Sequence, residues 1–372
     1  MYFNKIRSIN LLIKPASCNC NLRCTYCFYF DVAENRATYT YGNMTYETLE
    51  NLVKNVFEHV EYQVTFMFQG GEPTMRGINY YYKLHELVEK YNENNIIVSF
   101  SMQTNGTMLN KRWFDLFEKY NYLIGISIDG TKDIHDIFRI DIRKKGTFDS
   151  IINNINKLRE RNIDFNILSV VNSEVAKNAN NIYKYFREKE FEYMQFIPML
   201  DSLKNKKEDY TLTAKSYGIF LDELFNIWYK DILNGNFVSI RYFENLLLIL
   251  LGKQPESCDM VGQCSVNFVV EADGSVYPCD FYVLDEYRIG NINEDAITDI
   301  IFSKKAQKFV RDSLILDKKC KSCKYFKICR SGCKRHKNEK NENKFCESYI
   351  YFLDRNLDKL MKLKNLLINK SK

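Results

Sequence analysis

The sequence predicts an α/β fold: an open, partial (β/α)6 barrel, then a small cysteine-rich domain and a C-terminal helix. Two observations predict it. Six short β-rich runs alternate with helical patterns in the first part of the chain, which reads as a parallel sheet with helical crossovers. Six units are fewer than the eight of a closed barrel, so the array is expected to stay open. The pattern then changes after about residue 211, and eight of the twelve cysteines fall from Cys258 onward. A loop-rich region of that kind is stabilised by cross-links or metal more than by core packing.

The expected strands are Asn10 to Ile13, Val64 to Phe68, Ile96 to Met102, Leu123 to Ile128, Phe165 to Val171 and Met194 to Ile197. Between them, Leu49, Leu52, Val53, Val56 and Phe57 share one helical face, as do Ile151, Ile152, Ile155 and Leu158. Thr45 is placed to cap the first of these helices, with Thr48 where a capping box prefers Glu or Gln. A long helix follows through Phe220, Leu221, Leu224, Phe225, Ile227 and Trp228. Val266 to Val270 and Ser275 to Pro278 flank Ala272-Asp273-Gly274, a hairpin signal. Leu357 to Leu367 is an amphipathic basic helix, expected to dock on the protein's own surface. The expected domains are 1–235, 236–352 and 353–372.

Composition excludes several classes. The chain has 372 residues, 45% hydrophobic and 27% charged, which is globular and neither disordered nor collagen-like. No run approaches the roughly 18 apolar residues of a membrane span. The start, Met1-Tyr2-Phe3-Asn4-Lys5, lacks the layout of a signal peptide. A cytoplasmic, reducing setting is therefore expected, in which the cysteines serve metals or catalysis instead of disulfides. The net charge is +6, but residues 317–344 alone carry eleven Lys/Arg against three Asp/Glu. That run is interleaved with Cys320, Cys323, Cys329 and Cys333, so its charge is read as offsetting metal-bound thiolates. A solvated basic loop is the plainer reading.

Cys20-x3-Cys24-x2-Cys27 follows the first strand, where βα loops carry active sites. Three thiolates this close can hold three irons of a cubane and leave the fourth open to a ligand. A zinc knuckle with a remote fourth ligand, for instance Cys18, is the alternative. The four histidines form neither a metal nor a triad pattern, and His59 and His85 are read as surface residues of helices. No G-x-G-x-x-G or G-x-x-x-x-G-K-[ST] motif is present, so nicotinamide and P-loop chemistry lack support.

The Cys20, Cys24, Cys27 spacing and Gly70-Gly71-Glu72-Pro73 at the second strand's end resemble the radical S-adenosylmethionine (SAM) enzymes. The later cysteines resemble their C-terminal SPASM domain, which binds auxiliary four-iron clusters. Leu12-Ile13-Lys14-Pro15-Ala16-Ser17, Cys27-Phe28-Tyr29, Gln69 to Thr74, Gln103 to Thr107, Arg241-Tyr242-Phe243 and Tyr277-Pro278-Cys279-Asp280 are similar to anaerobic sulfatase-maturing enzymes. That resemblance implies three [4Fe-4S] clusters and SAM. Cys20, Cys24 and Cys27 would hold the SAM cluster. Cys258, Cys264, Cys279 and Cys333 would hold the first auxiliary cluster, and Cys320, Cys323, Cys329 and Cys346 the second. SAM would contact Gln69, Gly70, Gly71, Glu72, Asn105, Ser127, Arg139 and Leu200.

The implied reaction converts a Cys or Ser of a sulfatase to Cα-formylglycine through a 5′-deoxyadenosyl radical, because a β C–H bond is not acidic enough for a base. Asp280 is the implied general base and Tyr29 a substrate-positioning residue. Their plainer readings are a turn carboxylate and core packing; that of Arg139 is an ion pair with Asp136 or Asp141. The implied partners are an unfolded or nascent sulfatase peptide with a Cys-x-Pro-x-Arg-like motif and a one-electron reductant such as ferredoxin or flavodoxin. No nucleic acid and no membrane are expected. The alternatives are another SPASM peptide maturase forming a Cys thioether, and a zinc-dependent nucleic-acid-binding protein.

Overall fold

The computed structural model describes residues 5–204 and 206–370; the segment Met1 to Asn4, read above for a leader, lies outside them. The chain divides into two compact units. The first comprises residues 1–127, 136–165 and 265–309, and the second 128–135, 166–264 and 310–372.

In the first unit β1 (Ile6–Ile13), β2 (Val60–Phe68), β3 (Ile97–Thr104) and β4 (Leu123–Ser127) run parallel in chain order. The apolar runs that predicted these strands are the buried ones. Leu11, Ile13, Val64, Phe66, Phe68, Ile124 and Ile126 are all in the core. The helix Tyr46–His59 covers the sheet with Leu49, Leu52, Val53, Val56 and Phe57, and the Thr45 side chain accepts the Thr48 N–H at its start. The cap thus works with a threonine at the third position, whose own hydroxyl meets Thr45 Oγ1 at 3.0 Å.

The second unit carries β5 (Phe165–Val171), β6 (Tyr193–Pro198) and β7 (Ser239–Ile240), again parallel. Its long helix Ala214–Leu233 opens with a Thr213–Ser216 capping box. The C-terminal helix Cys346–Lys370 packs along it: Asn356 and Arg355 donate to Asp222 at 2.6 and 2.9 Å, and Phe352 stacks among Phe225, Tyr242 and Phe243. Its apolar face is therefore a docking face, as the amphipathic pattern predicts.

The hairpin lies in the first unit. β8 (Val269–Val270) pairs parallel to β1, β9 (Ser275–Tyr277) returns antiparallel, and β10 (Gly290–Asn291) follows. The first hairpin strand is shorter than the expected Val266 to Val270. His85 corrects another expectation: it is buried at 6% exposure, stacked on Tyr120 with ring centroids 3.4 Å apart and bonded to Tyr122 Oη at 3.0 Å. Burial pushes its imidazole down to about 3. Among the described residues no helix is long and apolar enough to cross a membrane.

Candidate active site

The first unit gathers Cys20, Cys24 and Cys27 on the loop between β1 and the helix Phe28–Glu34, which begins directly after Cys27. All twelve cysteines are free. Cys20 Sγ accepts the Leu22 N–H at 3.3 Å and lies 3.9 Å from Asn105 Nδ2. Burial pushes the Cys20 thiol up to about 12, and Glu72, Cys24 and Cys27 add to it electrostatically. Such a set is costly as free thiolates and is stabilised as ligands to cationic iron, so the donors fit a cluster.

The Gly70-Gly71-Glu72-Pro73 loop packs on that segment. Both glycines have positive φ, +93° and +52°. A Cβ at Gly71 would lie 2.3 Å from the Asn19 carbonyl oxygen, and one at Gly70 would lie 2.7 Å from Lys14 Cγ and Nζ. Glycine is needed at both by close approach as well as by φ. Glu72 is buried, and its carboxylate accepts from the Thr74 N–H and hydroxyl, the Thr104 hydroxyl and the Asn105 N–H at 2.6–3.1 Å. It ties the ends of β2 and β3 together. Gln103 donates to Ser127 Oγ at 3.0 Å. Arg139 is buried, its guanidinium 5.5 Å above the Tyr26 ring. Asp136 takes the Thr147 and Phe148 N–H groups, and Asp141 those of Arg143 and Lys145.

Asp280 is not a turn carboxylate. It directly follows Cys279, is buried, and pairs with Lys14, while Gln69 Nε2 donates to its Oδ2 at 2.7 Å. Lys14 and Gln69 are the first residues beyond β1 and β2, so two strand ends aim at one carboxylate. Lys14 Nζ and Asp280 Oδ1 are buried and, among the described residues, have no hydrogen-bond partner outside their ion pair. The ammonium sits 3.8 Å over the Tyr29 ring, and that ring is 3% exposed. Beside it, Arg36 and Glu271 form an ion pair at 2.9 Å with both side chains fully buried. Burial lifts Glu271 to about 7 against the pull of Lys14. Sequence reasoning quoted Lys14 only as part of a motif and missed Arg36 and Glu271. The available signal was a lysine closing the apolar run Leu11-Leu12-Ile13.

In the second unit Leu200 is half-buried, two residues past β6. Cys258 is exposed, and Cys264 and Cys333 are half-buried. Cys333 Sγ accepts the Arg335 N–H at 3.4 Å, and burial, then Asp259, Cys258 and Cys264, push its thiol up to about 12. Among the described residues no three Cys, His, Asp or Glu side chains close on the spacing of a single metal ion. Instead Cys320, Cys323, Cys329 and Cys346 line a cavity of about 890 Å³, a four-thiol set with room for a cluster. His336 borders it with its ring edge-on to Phe345.

Residues 15–185 match the radical SAM superfamily, and residues 258–324 match SPASM, an iron–sulfur cluster-binding domain. Fold and site together define a radical SAM enzyme with a partial (β/α)6 barrel, an iron–sulfur domain and a C-terminal helix. The chain is 49% identical to the cysteine-type anaerobic sulfatase-maturating enzyme of Clostridium novyi (strain NT), over 95% of its own length and 97% of that protein. It is 30% identical to the serine-type enzyme of Bacteroides thetaiotaomicron, over 93% and 89%. The solved structure of native anSMEcpe with bound AdoMet and Cp18Cys peptide superposes with a TM-score of 0.92 at 43% identity, covering 97% of this chain and 99% of that one. Streptococcus suis SuiB with its precursor peptide SuiA shares the fold alone, at 16% identity and a TM-score of 0.63. The chain belongs to the anaerobic sulfatase-maturating enzymes. The zinc and nucleic-acid reading gives way to an iron–sulfur one.

Proposed function

We propose that this chain oxidises the β-carbon of a cysteine in a nascent sulfatase peptide to the aldehyde of Cα-formylglycine. The single observation that carries the mechanism is the buried Asp280 carboxylate, held by Lys14 and Gln69 in the unit that bears Cys20, Cys24 and Cys27. Cysteine is favoured over serine because the relatives at 43–49% identity are cysteine-type and those at 29–30% are serine-type. The substrate motif is Cys-x-Pro-x-Arg, and the compartment is the cytoplasm.

Cys20, Cys24 and Cys27 would hold one [4Fe-4S] cluster, and Gln69, Gly70, Gly71, Glu72, Asn105, Ser127, Arg139 and Leu200 are the SAM-binding set. When bound, these two groups supply the hydrogen-atom abstraction that a non-acidic C–H bond demands. Arg139 suits the carboxylate of SAM through a charge-assisted pair. Glu72 anchors the end of the Gly70–Gly71 loop through Thr74, Thr104 and Asn105, and the backbone of that loop would receive the amino group of SAM. Cys320, Cys323, Cys329 and Cys346 would hold a second cluster. Cys258, Cys264 and Cys333 would hold a third with Cys279, which the first unit carries and the sequence resemblance assigns. The count is then three.

Asp280 would accept the thiol proton as the carbon–sulfur double bond forms, the electron released with it would be taken up by an auxiliary cluster, and water then replaces the sulfur, which leaves as hydrogen sulfide, to give the aldehyde. Lys14 and Gln69 fix its orientation, and Tyr29, packed over the Lys14 ammonium, would help position the substrate. Asp280→Asn keeps all three clusters and 5′-deoxyadenosine release but lowers formylglycine yield by about 10²-fold or more. Iron analysis and peptide mass spectrometry on the same sample check this, and a near-normal yield removes the role.

A further inference from the structure

Residues 36–41 join two helices, Phe28–Glu34 and Tyr46–His59, without regular structure of their own, and Ala37 to Thr40 are exposed. A connection of that kind is ordinarily free to move. Here it is strapped at three points to the stretch of chain that carries Asp280. The Arg36 guanidinium pairs with Glu271 at 2.9 Å, both side chains fully buried. The Ala37 N–H donates to Asp285 Oδ2 at 2.7 Å. The Tyr41 and Tyr277 hydroxyls meet at 3.4 Å. Glu271 directly follows β8 and Tyr277 ends β9, so the attachments lie on both sides of Asp280 in the chain. The strap is anchored at its own end too. Arg36 donates to Ser17 Oγ and the Tyr39 carbonyl at 3.1 and 3.0 Å, and the Tyr41 N–H reaches the same Ser17 Oγ at 3.1 Å. Arg36 also lies 3.5 Å from Tyr29 Oη, the ring that covers the Lys14 ammonium.

These contacts answer a mechanical need. β8 and β9 are two and three residues long, and β8 meets β1 through two residue pairs. So short a ladder does not by itself hold a loop to the ~0.5 Å that a reacting carboxylate requires. A buried ion pair adds little stability over apolar residues of the same volume, so Arg36 and Glu271 are better explained by the geometry they impose. We infer that Arg36, Glu271 and Tyr41 are positioning residues of the reaction: the strap they form sets where the hairpin presents the Asp280 carboxylate. They act through Asp280 and not on the substrate. The inference rests on Asp280 being the base, and it adds the restraint that places it. A plain staple of the fold is the other role such contacts can have, and that role lowers stability on removal while leaving each turnover productive.

The test measures 5′-deoxyadenosine released per formylglycine formed, on iron-matched holoenzyme with saturating Cys-x-Pro-x-Arg peptide and dithionite. A base held out of place leaves hydrogen abstraction intact and product unmade, so the ratio rises. Tyr41→Phe/Asp285→Ala loosens the strap from its exposed side and leaves the buried pair untouched. It is expected to raise the ratio roughly threefold or more and to lower kcat for formylglycine by about fivefold or more, with KM for the peptide held within about twofold. Glu271→Gln, which strands the Arg36 charge, should raise the ratio further and also melt lower. Arg36→Met/Glu271→Gln should regain most of the lost melting midpoint without regaining the ratio. Should Glu271→Gln fail to hold iron, Tyr41→Phe/Asp285→Ala decides alone. A wild-type ratio in that variant overturns the inference, as does a ratio that returns to wild type together with stability in Arg36→Met/Glu271→Gln. Asp280→Asn separates the two levels. If its ratio rises and those of the strap variants do not, the base stands and the strap falls; if its own ratio stays at the wild-type value, the base assignment falls and the strap with it.

Discussion

Among the described residues the buried Lys14 ammonium has no hydrogen-bond partner beyond its ion pair with Asp280, and the Tyr29 ring lies against it. Removing one member of a buried ion pair strands the other and costs about 3–5 kcal/mol, whereas removing both together costs far less. Lys14→Met is therefore expected to melt well below wild type. Lys14→Met/Asp280→Asn should recover most of that loss yet form no more product than Asp280→Asn. Melting midpoints and formylglycine yields on iron-matched samples check both halves. At this scale the thiols were legible, because the ligand set proposed for Cys20, Cys24 and Cys27 rests on local spacing alone. Lys14 was not, because its meaning depends on a carboxylate delivered by a different stretch of chain. The Gln69–Asp280 bond spans 211 residues. His85 misled for a related reason: an isolated histidine in a helix looks solvated until Tyr120 and Tyr122 close over it.

Elements with their own periodicity could be read directly. The helix Tyr46–His59 buries the five apolar residues its pattern marks, and the C-terminal helix lays Phe352, Leu353, Leu360 and Leu363 inward. Phe352 is fully buried between two helices. Phe352→Ala is expected to cost about 3–5 kcal/mol through lost transfer energy and the cavity left behind. A lowered unfolding midpoint at unchanged iron content is the predicted result. The hairpin was legible as a turn, at Asp273-Gly274, but its pairing was not. β8 joins β1 in parallel through two residues, Leu12 opposite Val269 and Ile13 opposite Val270. Nothing in a two-residue strand specifies so distant a partner. That pairing nevertheless brings Asp280 to the ends of β1 and β2, so it builds the candidate site.

Across the molecule, charge and cysteine content together describe an enzyme organised around clusters. Over the whole chain the charge is modest, +6, yet it is concentrated where residues 317–344 surround thiols. The family was legible because its motifs are short and local. The target residue was not, since the choice between a thiol and a hydroxyl depends on the shape of a substrate pocket and not on a motif. The most direct measurement is mass spectrometry of a Cys-x-Pro-x-Arg peptide after anaerobic incubation with reconstituted enzyme, SAM and a reductant. The predicted result is a loss of about 18 Da at cysteine, with 5′-deoxyadenosine released. An unmodified peptide from enzyme loaded with about twelve irons, or a loss of only about 2 Da from a cross-link, would contradict it.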